Sequence, residues 1–197
     1  VKKAGYLDPQ NSREMISQLF NPGMIEVLFS NTPKIVFELT NKCNLNCKYC
    51  INGSIYEETN DTTHYLSFAS AKQILDYFKV NQVRSTKKLA IGFYGGEALL
   101  NFNVLKDIVV YTQSEDFKGF EMNYYITTNG VLLDKYIDFL IRYNFYITIS
   151  IDGNKENNIY RVFHNNTSSF EKVCENINQI KESYPAFYNR NVGLISV

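Results

Sequence analysis

The spacing of apolar positions changes in a regular way along the chain. Residues 35–39 form a continuous apolar run with β-branched members, which predicts a buried strand. Over residues 68–78 the apolar positions have the spacing of an amphipathic helix instead. The same alternation continues to the last residue. Further strands are predicted over 89–94, 122–127, 145–151 and 192–197, and further helices over 102–111, 136–141 and from about 168.

Strands that alternate with helices predict parallel pairing, because each crossover helix returns the chain to the same edge of the sheet. We therefore expect an α/β fold, a partial (β/α) TIM-like barrel whose C-terminal part is missing. An open doubly wound sheet is the alternative. The barrel domain is expected to span residues 34–197, after an N-terminal lead-in at 1–33. Residues 51–65 are polar and rich in turn formers, which predicts a loop.

Two helix starts have capping signals. Ser67 precedes the first predicted helix and is a plausible N-cap. Ser168 and Glu171 have the spacing of a capping box, in which each side chain accepts a hydrogen bond from a free backbone N–H. Cys174 lies among apolar residues of the helix that follows, which predicts a buried structural cysteine.

Composition narrows the function classes. The 197 residues are 45% hydrophobic and 20% charged, which is typical of a globular protein. Lys and Arg number 20, as do Asp and Glu, so no basic surface for nucleic acid is expected. The sequence contains no apolar run of membrane-spanning length. We therefore expect a cytoplasmic protein with neither nucleic acid nor a membrane as its partner.

Polar or glycine residues follow each of the first four predicted strands. Because the carboxyl ends of strands in α/β folds meet at one edge, where ligands bind, these residues are expected to form one site. The set consists of the segment from Cys43, then Gly95-Gly96-Glu97, Thr128-Asn129-Gly130, and Ser150 with Asp152-Gly153.

Three cysteines crowd into the first of these segments. Cys43, Cys47 and Cys50 can each bind one iron of a cubane cluster, which leaves the fourth iron open to a small molecule. A zinc knuckle completed by a distant ligand such as His64 is the alternative. Zinc sites of that kind favour paired C-x-x-C units, and this chain has one.

The Cys-x3-Cys-x2-Cys spacing, with Tyr49 before the last cysteine and Gly95-Gly96-Glu97 after the second strand, resembles the radical S-adenosylmethionine (SAM) superfamily. The resemblance covers most of the chain. It implies a 4Fe–4S cluster on Cys43, Cys47 and Cys50, at which SAM is reductively cleaved to a 5′-deoxyadenosyl radical.

The Gly-Gly-Glu segment has a role in that resemblance. Gly95 and Gly96 lack a Cβ, which would let the backbone approach SAM closely. Glu97 would place its carboxylate against the SAM ammonium group, a charge-assisted contact.

Ser150-x-Asp152-Gly153 followed by Tyr160-Arg161 resembles a narrower group, the sulfatase-maturing enzymes and the maturases of ribosomal peptides. That resemblance implies that Ser150 and Asp152 belong to the SAM site. It also implies that the Arg161 guanidinium pairs with the SAM carboxylate. Relatives carry a His-Asp pair shortly before this arginine, whereas this chain has Asn157-Asn158-Ile159-Tyr160.

The same resemblance assigns Tyr49 to the adenine region of SAM. Asn129 is expected to contact the ribose, although an Asn-Gly pair also serves as an ordinary turn.

The narrower resemblance also implies the partners: a peptide or protein substrate, and an electron donor such as flavodoxin or ferredoxin. A catalytically silent radical-SAM-like scaffold and a zinc-binding interaction module are the alternatives from other function classes.

Overall fold

The computed structural model of the protein describes residues 23–24, 27, 31–51, 64–81, 88–114 and 117–196. Most of the expected lead-in at 1–33, and residues 52–63 of the expected loop at 51–65, lie outside these ranges.

Five parallel strands form one sheet, and each pairs with its neighbours in chain order. The strands are β1 (Lys34–Glu38), β2 (Lys88–Tyr94), β3 (Glu121–Thr128), β4 (Tyr146–Ser150) and β5 (Val192–Ile195). A doubly wound sheet reverses its strand order at a switch point, whereas a barrel wall continues in one direction. The predicted α/β fold with parallel strands is confirmed, and the sheet is not closed.

Helices fill the crossovers between successive strands. They are α1 (Phe68–Asn81), α2 (Phe102–Thr112), α3 (Leu133–Arg142), α4 (Phe170–Ser183) and α5 (Pro185–Asn191), with 3₁₀ turns at Ala98–Asn101 and Asn157–Tyr160. Right-handed crossovers between adjacent strands place the helices on one face of the sheet. The core lies between that face and the helices, where Ile91, Ile147 and Leu105 are fully or almost fully buried.

The opposite face of the sheet carries exposed side chains. Side chains alternate along a strand, so the residues between the buried ones point away from the helices. Val36, Tyr94 and Tyr125 are exposed there, and the Tyr125 ring stacks on that of Tyr146 with centroids 4.9 Å apart. This open face ends at the carboxyl edge of the sheet.

The capping predictions have different outcomes. Ser67 does cap α1, because its hydroxyl accepts a hydrogen bond from the Ser70 N–H at 3.1 Å. The predicted capping box is wrong: α4 begins at Phe170, and Ser168 accepts from the Phe170 N–H at 3.2 Å. Glu171 pairs instead with the ammonium group of Lys155, at 2.5 Å.

The prediction of a buried Cys174 is wrong in degree. Val173 and Ile177 are buried on the sheet-facing side of α4, but Cys174 is only partly buried. Each helical residue turns the side chain by about 100° from the previous one, so the neighbour of a buried residue lies at the border of the apolar stripe.

Among the helices in the described ranges, none has both the length and the apolar character needed to cross a bilayer.

Candidate active site

The end of β2 packs tightly against the start of the cysteine segment. The Gly96 N–H donates to the Thr40 carbonyl at 2.7 Å, and the Glu97 N–H donates to the Lys42 carbonyl at 2.8 Å. A Cβ on Gly95 would lie 2.3 Å from the Thr40 oxygen, and one on Gly96 would lie 2.4 Å from the Lys42 oxygen. Gly95 also has a φ of 144°, which side chains disfavour. The glycines are thus needed for the loop to pack here, a reason that the sequence does not give.

A second segment holds the cysteine loop from the other side. The Asn46 N–H donates to the Val162 carbonyl at 2.7 Å, and the Lys48 N–H donates to the Tyr160 carbonyl at 2.9 Å. Arg161 lies between these two acceptors in the chain. The cysteines are therefore fixed between the end of β2 and the segment that contains Arg161, the residue predicted to pair with the SAM carboxylate.

Burial makes two of the thiols reluctant to ionise. It raises the pKa of the Cys43 thiol to about 11 and also raises the pKa of Cys47, against which the nearby Arg161 charge acts. Iron binds the thiolate, so cluster assembly must displace these protons. Within the described ranges, no three His, Cys, Asp or Glu side chains converge on a single metal ion. A cubane cluster distributes its thiolates over three irons and needs a wider spacing than one ion does.

Glu97 joins the ends of β2 and β3. Its side chain is 1% exposed, and its carboxylate accepts from the Leu99 N–H at 3.0 Å, the Thr128 hydroxyl at 2.8 Å and the Asn129 N–H at 2.8 Å. Burial raises the pKa of Glu97, against the effect of these donors. The contact with the SAM ammonium group stays a prediction. The structure adds a second role for Glu97, whose hydrogen bonds connect the end of β2 to the end of β3.

Asn129 directs its side chain to the cysteine loop. Its amide nitrogen lies 2.7 Å from Asn44 Oδ1 and 3.5 Å from the Cys43 sulfur, while its oxygen accepts from the Val131 N–H at 3.0 Å. Asn129 is therefore both a turn residue and a neighbour of a predicted cluster ligand. The ribose contact stays a prediction.

Tyr49, Asp152 and Arg161 form a hydrogen-bonded chain. The Tyr49 hydroxyl donates to Asp152 Oδ2 at 2.5 Å and accepts from Arg161 Nη1 at 2.7 Å. Burial, followed by the bond to Asp152, raises the pKa of Tyr49 to about 12, so this phenol is neutral at physiological pH. Asp152 and Arg161 are both buried. The phenol thus separates a buried carboxylate from a buried guanidinium.

Ser150 and Asn158 complete the edge. Ser150 is the last residue of β4 and is partly buried, and in the described ranges it has no hydrogen bond to the other predicted residues. Asn158 accepts from the Asp152 N–H at 3.0 Å and is 1% exposed, yet its amide nitrogen has no acceptor among the described residues. A buried amide without an acceptor costs free energy unless a ligand supplies one.

Most predicted residues thus lie together at the carboxyl edge of the sheet. Glu97 bonds to Asn129, and Asn129 in turn contacts Cys43. Tyr49 bonds to both Asp152 and Arg161. Reasoning from the sequence placed Thr128 at this edge without a role, and it assigned no role to Asn44 or Asn158. Thr128 ends a strand, and this position was a signal for it. The other two are asparagines in loops, with no pattern that distinguishes them.

A family model described as the Radical SAM superfamily matches residues 37–196. The chain belongs to the radical SAM superfamily. Enzymes of this family use a 4Fe–4S cluster and SAM.

Curated relatives extend the similarity. The chain is 33% identical over 164 residues to an uncharacterized protein of Methanocaldococcus jannaschii, which covers 83% of the chain and 52% of that protein. It is 29% identical over 160 residues to the radical SAM cyclopropyl synthase TigE of Paramaledivibacter caminithermalis, which covers 76% of the chain and 33% of that protein. It is 28% identical over 155 residues to a cysteine-type anaerobic sulfatase-maturating enzyme of Clostridium novyi, covering 76% and 40%. The chain thus spans about half the length of these relatives, or less.

The fold of this radical SAM chain also matches solved structures. The structure of native anSMEcpe with bound AdoMet superposes with a TM-score of 0.65 at 21% identity, covering 82% of this chain and 43% of that one. The superposition supports the radical SAM fold.

The residues present fit the two cofactors of the family. Three cysteines on one loop supply the thiolates of a three-ligand cubane cluster. Beside them, Arg161 supplies a buried cation, which suits the carboxylate of SAM. The Asn158 amide nitrogen, which has no acceptor in the described part of the chain, supplies a further donor next to Asp152.

Proposed function

We propose that this protein is a radical SAM enzyme that reductively cleaves SAM and acts on a peptide or protein side chain. When bound, the 4Fe–4S cluster supplies the electron that cleaves SAM into methionine and a 5′-deoxyadenosyl radical, which abstracts a hydrogen atom from the substrate. In this proposal Cys43, Cys47 and Cys50 hold the cluster. The protein binds and orients the cofactors and excludes water.

One observation carries the proposal: Arg161 is a buried cation that forms no direct ion pair with any of the described residues. Its side chain is 6% exposed, and among the described residues its guanidinium makes one hydrogen bond, to the neutral Tyr49 hydroxyl. A buried charge is costly unless it is paired. The Arg161 charge counteracts the rise in the pKa of Cys47, so the guanidinium lies near the cysteine loop. The carboxylate of SAM would supply the negative charge that pairs with Arg161 beside the cysteine loop.

The other residues have orienting roles. The Tyr49 hydroxyl accepts a hydrogen bond from Arg161 and so orients its guanidinium. Because Tyr49 is 37% exposed, we assign its ring to the adenine region of SAM. A carboxylate has about four lone-pair positions. Among the described residues three donors occupy positions of Glu97, and we propose that the SAM ammonium group takes a fourth. Ser150, at the end of β4, is proposed to contact the same ligand.

Arg161→Ala is expected to weaken SAM binding roughly ten- to a hundredfold, because a hydrogen-bonded charge is worth about 1.5–3 kcal/mol. The cluster should still assemble, since Arg161 is not an iron ligand. The measurement is SAM binding to the anaerobically reconstituted protein, with the visible spectrum of the cluster recorded on the same samples.

Arg142→Ala is the matched control, because this arginine is exposed in the last turn of α3. It should bind SAM as the wild type does. Wild-type SAM affinity in Arg161→Ala, at full cluster occupancy, would remove Arg161 from the proposed site.

A polypeptide substrate is proposed from four observations. The Ser150-x-Asp152-Gly153 pattern resembles that of peptide and sulfatase maturases, and the relatives include a sulfatase-maturating enzyme. The zero net charge disfavours RNA as a substrate. The open face of the sheet, with exposed Tyr94 and Tyr125, supplies a surface next to the edge where SAM is proposed to bind.

A flavodoxin or ferredoxin is proposed as the electron donor.

The substrate proposal is tested by incubating the full-length enzyme with SAM, a reductant and short peptides encoded beside its gene. We expect a fixed mass change in one peptide, with 5′-deoxyadenosine formed in proportion. Mass spectrometry measures the peptide, and chromatography measures the nucleoside. Modification of a small metabolite and of no encoded peptide would refute the peptide substrate but leave SAM cleavage standing.

A further inference from the structure

We propose that the Asn129 side chain is a positioning residue that donates a hydrogen bond to the sulfur of Cys43 and raises the reduction potential of the cluster. This inference rests on the proposed function, since it requires that Cys43 be a ligand of a 4Fe–4S cluster.

The orientation of the Asn129 amide follows from its contacts. The Val131 N–H can only donate, and it lies 3.0 Å from one end of the amide, so that end is the oxygen. The NH₂ group therefore faces the cysteine loop. It has two hydrogens for two acceptors, Asn44 Oδ1 at 2.7 Å and the Cys43 sulfur at 3.5 Å.

The donor is held in place on both sides. The backbone N–H of Asn129 bonds to Glu97 Oε2 at 2.8 Å, which fixes the residue to the end of β2. Asn176, from α4, donates to the carbonyls of Gly130 and Val131 at 2.8 and 3.0 Å. With a side chain that is only 6% exposed, Asn129 has little freedom to turn away from the sulfur.

A donor at this position affects electron transfer by simple electrostatics. Reduction adds negative charge to a cluster, part of which resides on its thiolate ligands. An N–H that points at such a sulfur stabilises the reduced state more than the oxidised one, and hydrogen bonds to the sulfurs are among the factors that set cluster potentials. The Leu45 N–H is a second donor to the Cys43 sulfur, at 3.4 Å. The buried surroundings of the amide strengthen such interactions.

The role differs from the ribose contact that the resemblance assigns to Asn129. A ribose contact matters only when SAM is bound, whereas a hydrogen bond to Cys43 acts on the cluster alone. The reduction potential measured without SAM therefore separates the two roles.

Two variants remove the donor and keep the size of the side chain. In Asn129→Leu the side chain has no polar atoms. In Asn129→Asp the side chain keeps an acceptor for the Val131 N–H but has an oxygen in place of the NH₂ group. Both keep the backbone bond to Glu97. If one of them fails to load the cluster, the other carries the comparison.

The experiment is a redox titration of the anaerobically reconstituted protein without SAM, followed by EPR of the reduced cluster. At a fixed potential the ratio of reduced to oxidised cluster should fall about three- to tenfold in Asn129→Leu, which corresponds to about 30 to 60 mV at 59 mV per tenfold change. The ratio should fall further in Asn129→Asp, because this variant also adds negative charge near the sulfur. Asn176→Ala is the control: it removes two bonds from the same turn but keeps the Asn129 donor, so it should lower the denaturation midpoint and shift the potential by less than Asn129→Leu does.

The outcomes are distinguishable. Wild-type potentials in both Asn129 variants would overturn the inference, and so would an equal shift in Asn176→Ala. A change in SAM affinity alone would also overturn it and support the ribose contact. A wild-type protein that forms no cluster would instead refute the proposed function.

Discussion

Replacing any one of Cys43, Cys47 and Cys50 by alanine is expected to abolish the brown colour and the broad absorbance at ~400 nm of the anaerobically reconstituted protein. Each thiolate of a three-ligand cubane holds a different iron, so two thiolates leave two irons without a protein ligand. The measurements are the visible spectrum, its bleaching on reduction, and iron and sulfide analysis.

Cys174→Ala is the control for this experiment. Cys174 is on α4 and packs against the core with no described contact to the other three cysteines. It should keep the full absorbance. Stoichiometric zinc in place of iron in natively purified protein would contradict the cluster and support the zinc-binding module.

The order of strands and helices could be predicted because the signals are local. Each strand is a short apolar run, each helix has an apolar stripe, and the alternation of the two implies parallel pairing. The choice between a barrel wall and a doubly wound sheet is not local. It depends on which strand pairs with which, and the register from Val36 through Gly92 to Tyr125 appears only in the folded structure.

Details of helix α4 show where periodicity stops being informative. Asn176 is 1% exposed because its amide binds the carbonyls of Gly130 and Val131, 46 and 45 residues earlier in the chain. A polar residue in an amphipathic helix is expected on the side that faces solvent, unless the fold supplies hydrogen-bond partners for it in the core. Such partners belong to the tertiary structure, and no window of sequence contains them.

The same distinction applies to the active site. The position of Asp152 and Arg161 could be predicted from the strand ends and the resemblance, but their connection through Tyr49 could not. Tyr49 is separated from Asp152 by 103 residues and from Arg161 by 112. The sequence also favours ligand approach as the reason for Gly96. The structure shows close packing of two backbone segments at this glycine.

That packing predicts a large effect for Gly96→Ala. The added Cβ would lie 2.4 Å from the Lys42 oxygen, 2.7 Å from the Lys42 carbonyl carbon and 2.7 Å from the Asn41 oxygen. All three are backbone atoms, so no side chain can rotate away. The segment would have to move, and the bond from the Gly96 N–H to Thr40 and that from Glu97 to Lys42 would lengthen.

Two consequences are expected of that movement. The free energy of unfolding should fall by about 2 to 4 kcal/mol, from the overpacking and the weakened hydrogen bonds. Since Lys42 directly precedes Cys43, the cluster loop should also be displaced and iron loading should drop severely. Denaturant unfolding measures the first effect, and iron analysis after reconstitution measures the second.

Gly193→Ala is the matched control for the same substitution. A Cβ on Gly193 of β5 would meet no described atom within 4 Å, so its stability should change by no more than about 0.5 kcal/mol and its iron content should be unchanged. The two explanations for Gly96 differ in their outcome. If this glycine serves only to admit SAM, Gly96→Ala should keep both its stability and its cluster and lose SAM affinity alone, and that result would contradict the packing argument.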